Sequence, residues 1–373
     1  MRKRASMVSM VAWMAGYLAI IDVAVNIIFP FPRSPRSVNT PELIRFFEYG
    51  RSVEGKLARM TRTTDEESSP VLKTGWISEP RVRVVSEGTG SPDRPTITIY
   101  GMSHSVQLAN DMARIDPSMP IRSVGAPGAV PSWSYSAYLS DRDRYHSGVV
   151  ILAVMTKGVP YICTTSGATN HFDSVWPYTY PRLILQGDRL ISIPPPFLSL
   201  DGYRANFFDP SKWQRYVDWL RIYDRHYDPV LYRRTALDHS SLFRMLRRAY
   251  AYAARRKKET RVYDDRAGFY RDSEEVKILL SMTANFAREA RDRGSVPIIY
   301  LVNNLFTGRH LFELMKDTLA VNDIPYLSSH TVSNPDDPRN YLPDSHFTPE
   351  ENLKLAGAML ELVRELEKGR NLH

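Results

Sequence analysis

Three short, largely apolar runs, at residues 96–100, 148–155 and 296–302, constrain the fold more than anything else in the chain. Each reads as a buried strand. Between and after them lie stretches with apolar residues at helical spacing, at 105–115, 132–139, 274–293, 310–320 and 349–366. Shorter strands are expected at 82–85, 121–124 and 324–327. Apolar strands alternating with helices predict an α/β domain, a parallel sheet with helices on both faces. In such sheets ligands bind beyond the carboxyl ends of the strands.

The N-terminus adds a second constraint. Met1-Arg2-Lys3-Arg4 is followed by a mostly apolar run from about Met7 to Phe29. At 1.5 Å per residue that run spans about 34 Å, enough to cross a hydrocarbon core of ~30 Å. Asp22 and Asn26 interrupt it in its outer half, where a charge costs less than at the centre. No small-x-small cleavage site follows; the chain continues Pro30-Phe31-Pro32-Arg33. A retained signal anchor is therefore expected over a cleaved signal peptide. The basic leader places the N-terminus in the cytoplasm and the main domain in the periplasm or outside the cell.

The expected organisation is a leader and transmembrane anchor at 1–30, a linker and juxtamembrane segment at 31–95, and the main domain at 96–373. Within 31–95 we expect a Pro/Ser/Arg linker to 41, a helix at 42–61, a surface loop at 62–70 and a turn at 91–95. A basic helical insertion is expected near 205–260.

The formal charge of +8 is concentrated in that insertion, which carries Arg221, Arg225, Arg233, Arg234, Arg244, Arg247, Arg248, Arg255, Arg256, Lys257 and Lys258 among Trp213, Trp219 and many tyrosines. Such a region suits anionic lipid headgroups or an acidic polymer. Equally, it reads as amphipathic helices with a solvated basic face. Basic residues interleaved with aromatics also occur in nucleic-acid binders, but an extracytoplasmic location argues against that partner.

The single cysteine, Cys163, rules out an internal disulfide and a cysteine-based zinc site. It reads as a partly buried structural residue with no activating partner nearby. His171, His226, His239, His310 and His330 show no metal-ligand spacing and read as structural or surface residues.

Two segments carry candidate chemistry. The strand at 96–100 runs straight into Gly101-Met102-Ser103-His104-Ser105, a tight turn before a helix. Near the C-terminus, Asp344-Ser345-His346 lies just ahead of the last helix. A serine, a histidine and a carboxylate are the material of a nucleophilic triad. The plain alternative for Ser103 is a helix cap; for His346 and Asp344 it is loop and turn structure. His104 and Ser105 read as helix-start residues.

These segments resemble the conserved blocks of the SGNH (GDSL-like) hydrolases. Gly101-Met102-Ser103 resembles their Gly-Asp-Ser nucleophile block, Val124-Gly125-Ala126-Pro127-Gly128 their second block, and Asp344 to His346 their closing block. The resemblance covers about 96–365, with an unmatched insertion near 160–270. It implies a flavodoxin-like sheet and a serine esterase or O-acyltransferase that needs no metal or organic cofactor. Ser103 would be the nucleophile, His346 the general base and Asp344 its orienting partner. The backbone N–H groups of Ser103 and Gly128 would hold the oxyanion.

Three departures stand out. Met102 replaces the family's Asp. One residue, not two, separates Asp344 from His346, a spacing similar to that of alginate O-acetylation proteins. The family's third block supplies an Asn side chain to the oxyanion hole, whereas here the strand ends Ala153-Val154-Met155-Thr156-Lys157-Gly158. Thr156, Lys157 and the more distant Asn170 are the candidate substitutes. A missing donor of this kind costs about 10²–10³ in turnover. The expected substrate is an acylated saccharide or polysaccharide. A non-catalytic protein that binds glycan in the same cleft and supports envelope or exopolysaccharide assembly is the alternative.

Overall fold

A computed structural model of the 373-residue chain describes residues 2–31, 41–61, 71–79, 82–88 and 96–370. Residues 32–40 of the linker expected to run to 41, the expected loop at 62–70 and the expected turn at 91–95 lie outside the described residues. The main sheet has six strands: β1 (Val82–Ser86), β2 (Ile97–Gly101), β3 (Ile121–Gly125), β4 (Val149–Met155), β5 (Val296–Val302) and β6 (Tyr326–Ser328). Their spatial order is β1-β3-β2-β4-β5-β6. Strands β2 to β6 are parallel, and β1 runs antiparallel to β3 at one edge.

The three apolar runs are β2, β4 and β5, three adjacent strands that each have a neighbour on both sides. Their side chains are buried on both faces, so continuous rather than alternating hydrophobicity marked them. The helices Ser103–Ile115 and Pro349–Arg370 pack together on one face. On the other, Pro131–Asp141 and Glu274–Asp292 meet through Tyr138, whose ring lies 5.5 Å from Tyr100 and 4.8 Å from Phe286. From β2 the chain moves outward to β3, then returns across β2 to β4. This reversal puts the switch point at the carboxyl end of β2, where open α/β sheets leave a crevice.

Several boundaries differ from expectation for identifiable reasons. The helix expected at 105–115 starts at Ser103, inside the turn. The helix expected at 42–61 is two helices, Glu42–Glu48 and Val53–Thr61. They break around Gly50, which lies against the Arg244 backbone; a Cβ there would come within 1.7 Å of the Arg244 carbonyl oxygen. Cys163 is fully buried rather than partly so. The irregular stretch after 160 contains a hairpin, Arg182–Gln186 with Arg189–Ile193, before the helices Leu200–Phe207, Pro210–Tyr223 and Ser241–Glu259.

Much of the insertion's positive charge is neutralised inside the protein. Arg233 pairs with Glu54 at 3.0 Å, Arg244 with Glu48 at 2.7 Å and Arg248 with Asp173 at 2.6 Å. Arg247 and Asp238 form a fully buried pair. Arg244 ties the Ser241–Glu259 helix to the Glu42–Glu48 helix, and Arg233 ties the segment before it to the Val53–Thr61 helix.

The N-terminal helix runs from Arg2 to Ile28, and its stretch Val8–Ile28 is long and apolar enough to cross a membrane. Its two polar interruptions have partners. Asp22 Oδ1 accepts hydrogen bonds from the Leu242 backbone N–H and the Ser241 hydroxyl, both at 2.8 Å. Asn26 donates to Ser241 Oγ at 2.8 Å and accepts from Arg244 at 2.9 Å. Asp22 therefore sits at the N-terminus of the Ser241–Glu259 helix, where unpaired N–H groups and the helix dipole favour a carboxylate.

Candidate active site

Ser103 is the first residue of its helix, and Met102 holds the capping position without a side-chain hydrogen bond. Ser103 therefore does not cap the helix, and its exposed hydroxyl is free to turn elsewhere. It meets His346 Nε2 at 2.6 Å. Gly101 makes the turn possible: a Cβ there would lie 2.4 Å from Ser105 Oγ and 2.8 Å from Ala153 Cβ.

His346 arrives on a tightly closed loop. The Leu342 N–H donates to the His346 carbonyl at 2.7 Å, and the Ser345 N–H donates to the Leu342 carbonyl at 2.9 Å. Ser345, between Asp344 and His346, takes a left-handed backbone with φ +69°. That kink folds the Asp344 carboxylate back, so that Oδ2 lies 3.0 Å from His346 Nδ1 and Oδ1 accepts the His346 backbone N–H at 3.2 Å. The backbone N–H of His346 holds the Asp344 carboxyl below the usual carboxylate range. An ionised carboxylate only accepts, so in the neutral imidazole the proton belongs on Nδ1 and Nε2 is the acceptor facing the Ser103 hydroxyl. The loop is moored by buried Phe347, which packs on Tyr341 at 5.0 Å; the Tyr341 hydroxyl donates to the Asn303 carbonyl at 3.0 Å.

His104 is a site residue that sequence reasoning missed. Its ring stacks on His346 at 4.7 Å with 21° between planes, and its Nε2 lies 3.3 Å from the Ser345 carbonyl oxygen. It braces the imidazole from the side away from solvent. Nothing in a His following a Ser signals this; it requires the two distant segments to meet.

The candidate oxyanion residues do not gather in the same way. Gly128 has φ +62°, a backbone that favours glycine, and a Cβ there would come within 2.6 Å of His171 Nε2. Its loop lies beside the turn, with the Ala126 N–H 3.4 Å from the Gly101 carbonyl. The buried Thr156 hydroxyl donates to the Val302 carbonyl at 3.2 Å. The buried Asn170 amide donates to the Tyr180 hydroxyl at 3.0 Å. The Lys157 backbone N–H donates to Asn304 Oδ1 at 3.0 Å, and its side chain is exposed. Asn303 and Asn304 are thus further polar residues of this edge, readable only as an Asn pair directly after an apolar strand.

A cavity of about 230 Å³ adjoins Gly128 through His171 and is also lined by Phe172, Asp173, Trp176, Tyr252 and Arg255. A second cleft of about 370 Å³, between the hairpin and the Tyr135–Glu289 region, includes none of Ser103, Asp344 and His346. Among the described residues, no group of three or more His, Cys, Asp or Glu is placed to hold a metal ion.

No family model matches the sequence, and no curated protein matches it. One crystal structure aligns over 74% of this chain and 99% of its own, at 8% identity and a TM-score of 0.34; so slight a likeness carries no argument.

Histidines shielded from water should make the fold acid-sensitive. Burial pulls His104 and His171 down to about 4 and His226 to about 3, against an ordinary value of 6.5. Between those values and 6.5 the unfolded chain binds more protons, so stability falls as pH drops through that window. Urea midpoints measured from pH 7 to pH 4 should decline. His104→Gln should flatten the slope by up to about 1.4 kcal/mol per pH unit, one proton's worth.

Proposed function

We propose that the chain is a membrane-anchored, extracytoplasmic SGNH-type serine esterase or O-acyltransferase acting on an acylated carbohydrate or envelope polymer. The observation that carries this is the Ser103–His346 hydrogen bond at 2.6 Å, with Asp344 on the far ring nitrogen at 3.0 Å. It lies at the carboxyl end of β2, and the five parallel strands follow the order of a flavodoxin-like sheet.

In this reading Ser103 Oγ attacks the ester carbonyl while His346 Nε2 takes its proton. The negative charge develops on the carbonyl oxygen beside the first N–H groups of the Ser103 helix, with Gly128 N–H as the second donor. Collapse of the adduct expels the alcohol, which takes the proton back from His346 and leaves an ester on Ser103. Water then releases the acid, or a sugar hydroxyl accepts the acyl group. His346 serves as base and then acid again in this second half.

The non-catalytic, glycan-binding reading keeps one specific support. Thr156 and Asn170, two candidate side-chain donors, are engaged elsewhere. A panel of acetylated saccharides and aryl esters, with acid release and acyl transfer followed separately, decides between the two. The full chain in detergent is the right material, because Asp22 and Asn26 hold the Ser241–Glu259 helix. Turnover supports the enzyme; binding of saccharide with neither hydrolysis nor transfer supports the alternative.

Topology is testable by itself. Arg2-Lys3-Arg4 ahead of the span predicts that the C-terminus lies outside the cytoplasm. A C-terminal alkaline phosphatase fusion should be active in a Gram-negative host. Activity of a cytoplasm-only reporter at that position would overturn the orientation and, with it, the envelope substrate.

A further inference from the structure

The Ser241–Glu259 helix is built inside out. On an ordinary surface helix the apolar stripe faces the protein and the charges face water. Here Arg244, Arg247 and Arg248 share the inward face, where Glu48, Asp238 and Asp173 receive them. The outward face carries Met245, Leu246, Ala249, Tyr250 and Ala253, all exposed. Leu246 is 61% exposed and Tyr250 45%. Burying arginines to display leucine and methionine makes no sense against water.

Its position says what covers that face. Ser241 and Leu242 hydrogen-bond to Asp22, which lies six residues before Ile28, the end of the apolar span. At 1.5 Å per residue, that contact is about 9 Å inside the end of the span. The start of the helix is therefore held within the outer third of the span, a depth at which an interfacial helix buries its apolar face. The short helix Glu42–Glu48 beside it adds Leu43 and Phe46, 52% and 40% exposed, and Phe47 stacks on Phe29 at the exit of the span. At the far end of the helix the outward face turns basic, with Arg256 and Lys257 exposed. Apolar residues with aromatic and basic flanks are the composition of a helix lying in a lipid interface.

We propose that the Ser241–Glu259 helix is a second membrane element, lying in the outer boundary of the bilayer that the N-terminal helix crosses, with Met245, Leu246 and Tyr250 in lipid. This rests on reading the N-terminal helix as a span. The chain would then be gripped to the membrane at two places, and the domain would have a fixed orientation over the lipid rather than swing on a tether.

Depth-dependent quenching in proteoliposomes of phosphatidylcholine and phosphatidylglycerol tests it. An environment-sensitive fluorophore is attached to the full chain at Leu246→Cys or Tyr250→Cys. Ile20→Cys reports the span and Val321→Cys reports exposed surface at the end of the His310–Val321 helix. The native Cys163 is buried and does not compete. The expected result is strong quenching at Leu246 and Tyr250 by lipid spin-labelled near the headgroup. Ile20 should be quenched by lipid labelled deep in the acyl chain, and Val321 by neither. Quenching at Ile20 with none at Leu246 and Tyr250 overturns the proposal and leaves the anchor standing. No quenching at Ile20 removes the anchor and the proposal with it. A Leu246 signal that is unquenched by lipid but changes with protein density would assign the face to a second copy of the chain instead.

Discussion

Ser103→Ala should reduce ester turnover by about 10³-fold or more, because loss of a triad nucleophile leaves only binding and oxyanion stabilisation. The fold should be unaffected. Met102, not Ser103, holds the capping position, so no cap is lost. His346→Ala should lose nearly as much. The Ser103→Ala, His346→Ala double variant should be scarcely worse than either, since the members act as a unit. Asp344→Ala should cost less than either, because its carboxylate is largely exposed and His104 also braces the ring. Turnover numbers on the best substrate, with circular dichroism melts of each variant, check this. Wild-type turnover in Ser103→Ala would remove Ser103 from the chemistry.

The largest effect on stability should come from the Asp238–Arg247 pair. Both side chains are about 1% exposed. Asp238 also accepts from the Ser52 backbone N–H at 3.2 Å and the Ser52 hydroxyl at 2.5 Å, fastening the start of the Val53–Thr61 helix to the insertion. Asp238→Ala leaves a guanidinium buried without its counter-charge, which costs about 3–5 kcal/mol. Replacing both partners, as Asp238→Leu with Arg247→Met, should cost much less, since no lone charge then remains. Urea unfolding of the detergent-solubilised chain measures both. A loss below about 1 kcal/mol for Asp238→Ala would mean that water reaches the pair.

The sheet was legible because its central strands are buried on both faces. β2, β4 and β5 have no polar face to obscure them, and β5 falls on the expected residues, 296–302. The insertion was less legible. A run of arginines looks the same whether it faces water or glutamates supplied from residues 48 and 54, far away in sequence. For the same reason, Asp22 read as a flaw in a span, although it receives the N-terminus of a helix more than 200 residues later. At the site, Ser103, Asp344 and His346 were each visible beside a strand end or helix start. His104 was not, because stacking depends on two loops meeting. The candidate donors Thr156 and Asn170 satisfied residue type, but their hydrogen bonds go to Val302 and Tyr180, which no local pattern foretells.

The central claim is that Ser103 becomes acylated. The direct measurement is reaction of the full-length chain with a fluorophosphonate, followed by intact mass and peptide mapping. One adduct should form, on Ser103, and the rate of its formation should collapse in His346→Ala, where no base takes the hydroxyl proton. An unlabelled wild-type chain would contradict the account, as would an adduct on another serine such as Ser105, whose hydroxyl is buried and donates to the Met102 carbonyl at 2.6 Å.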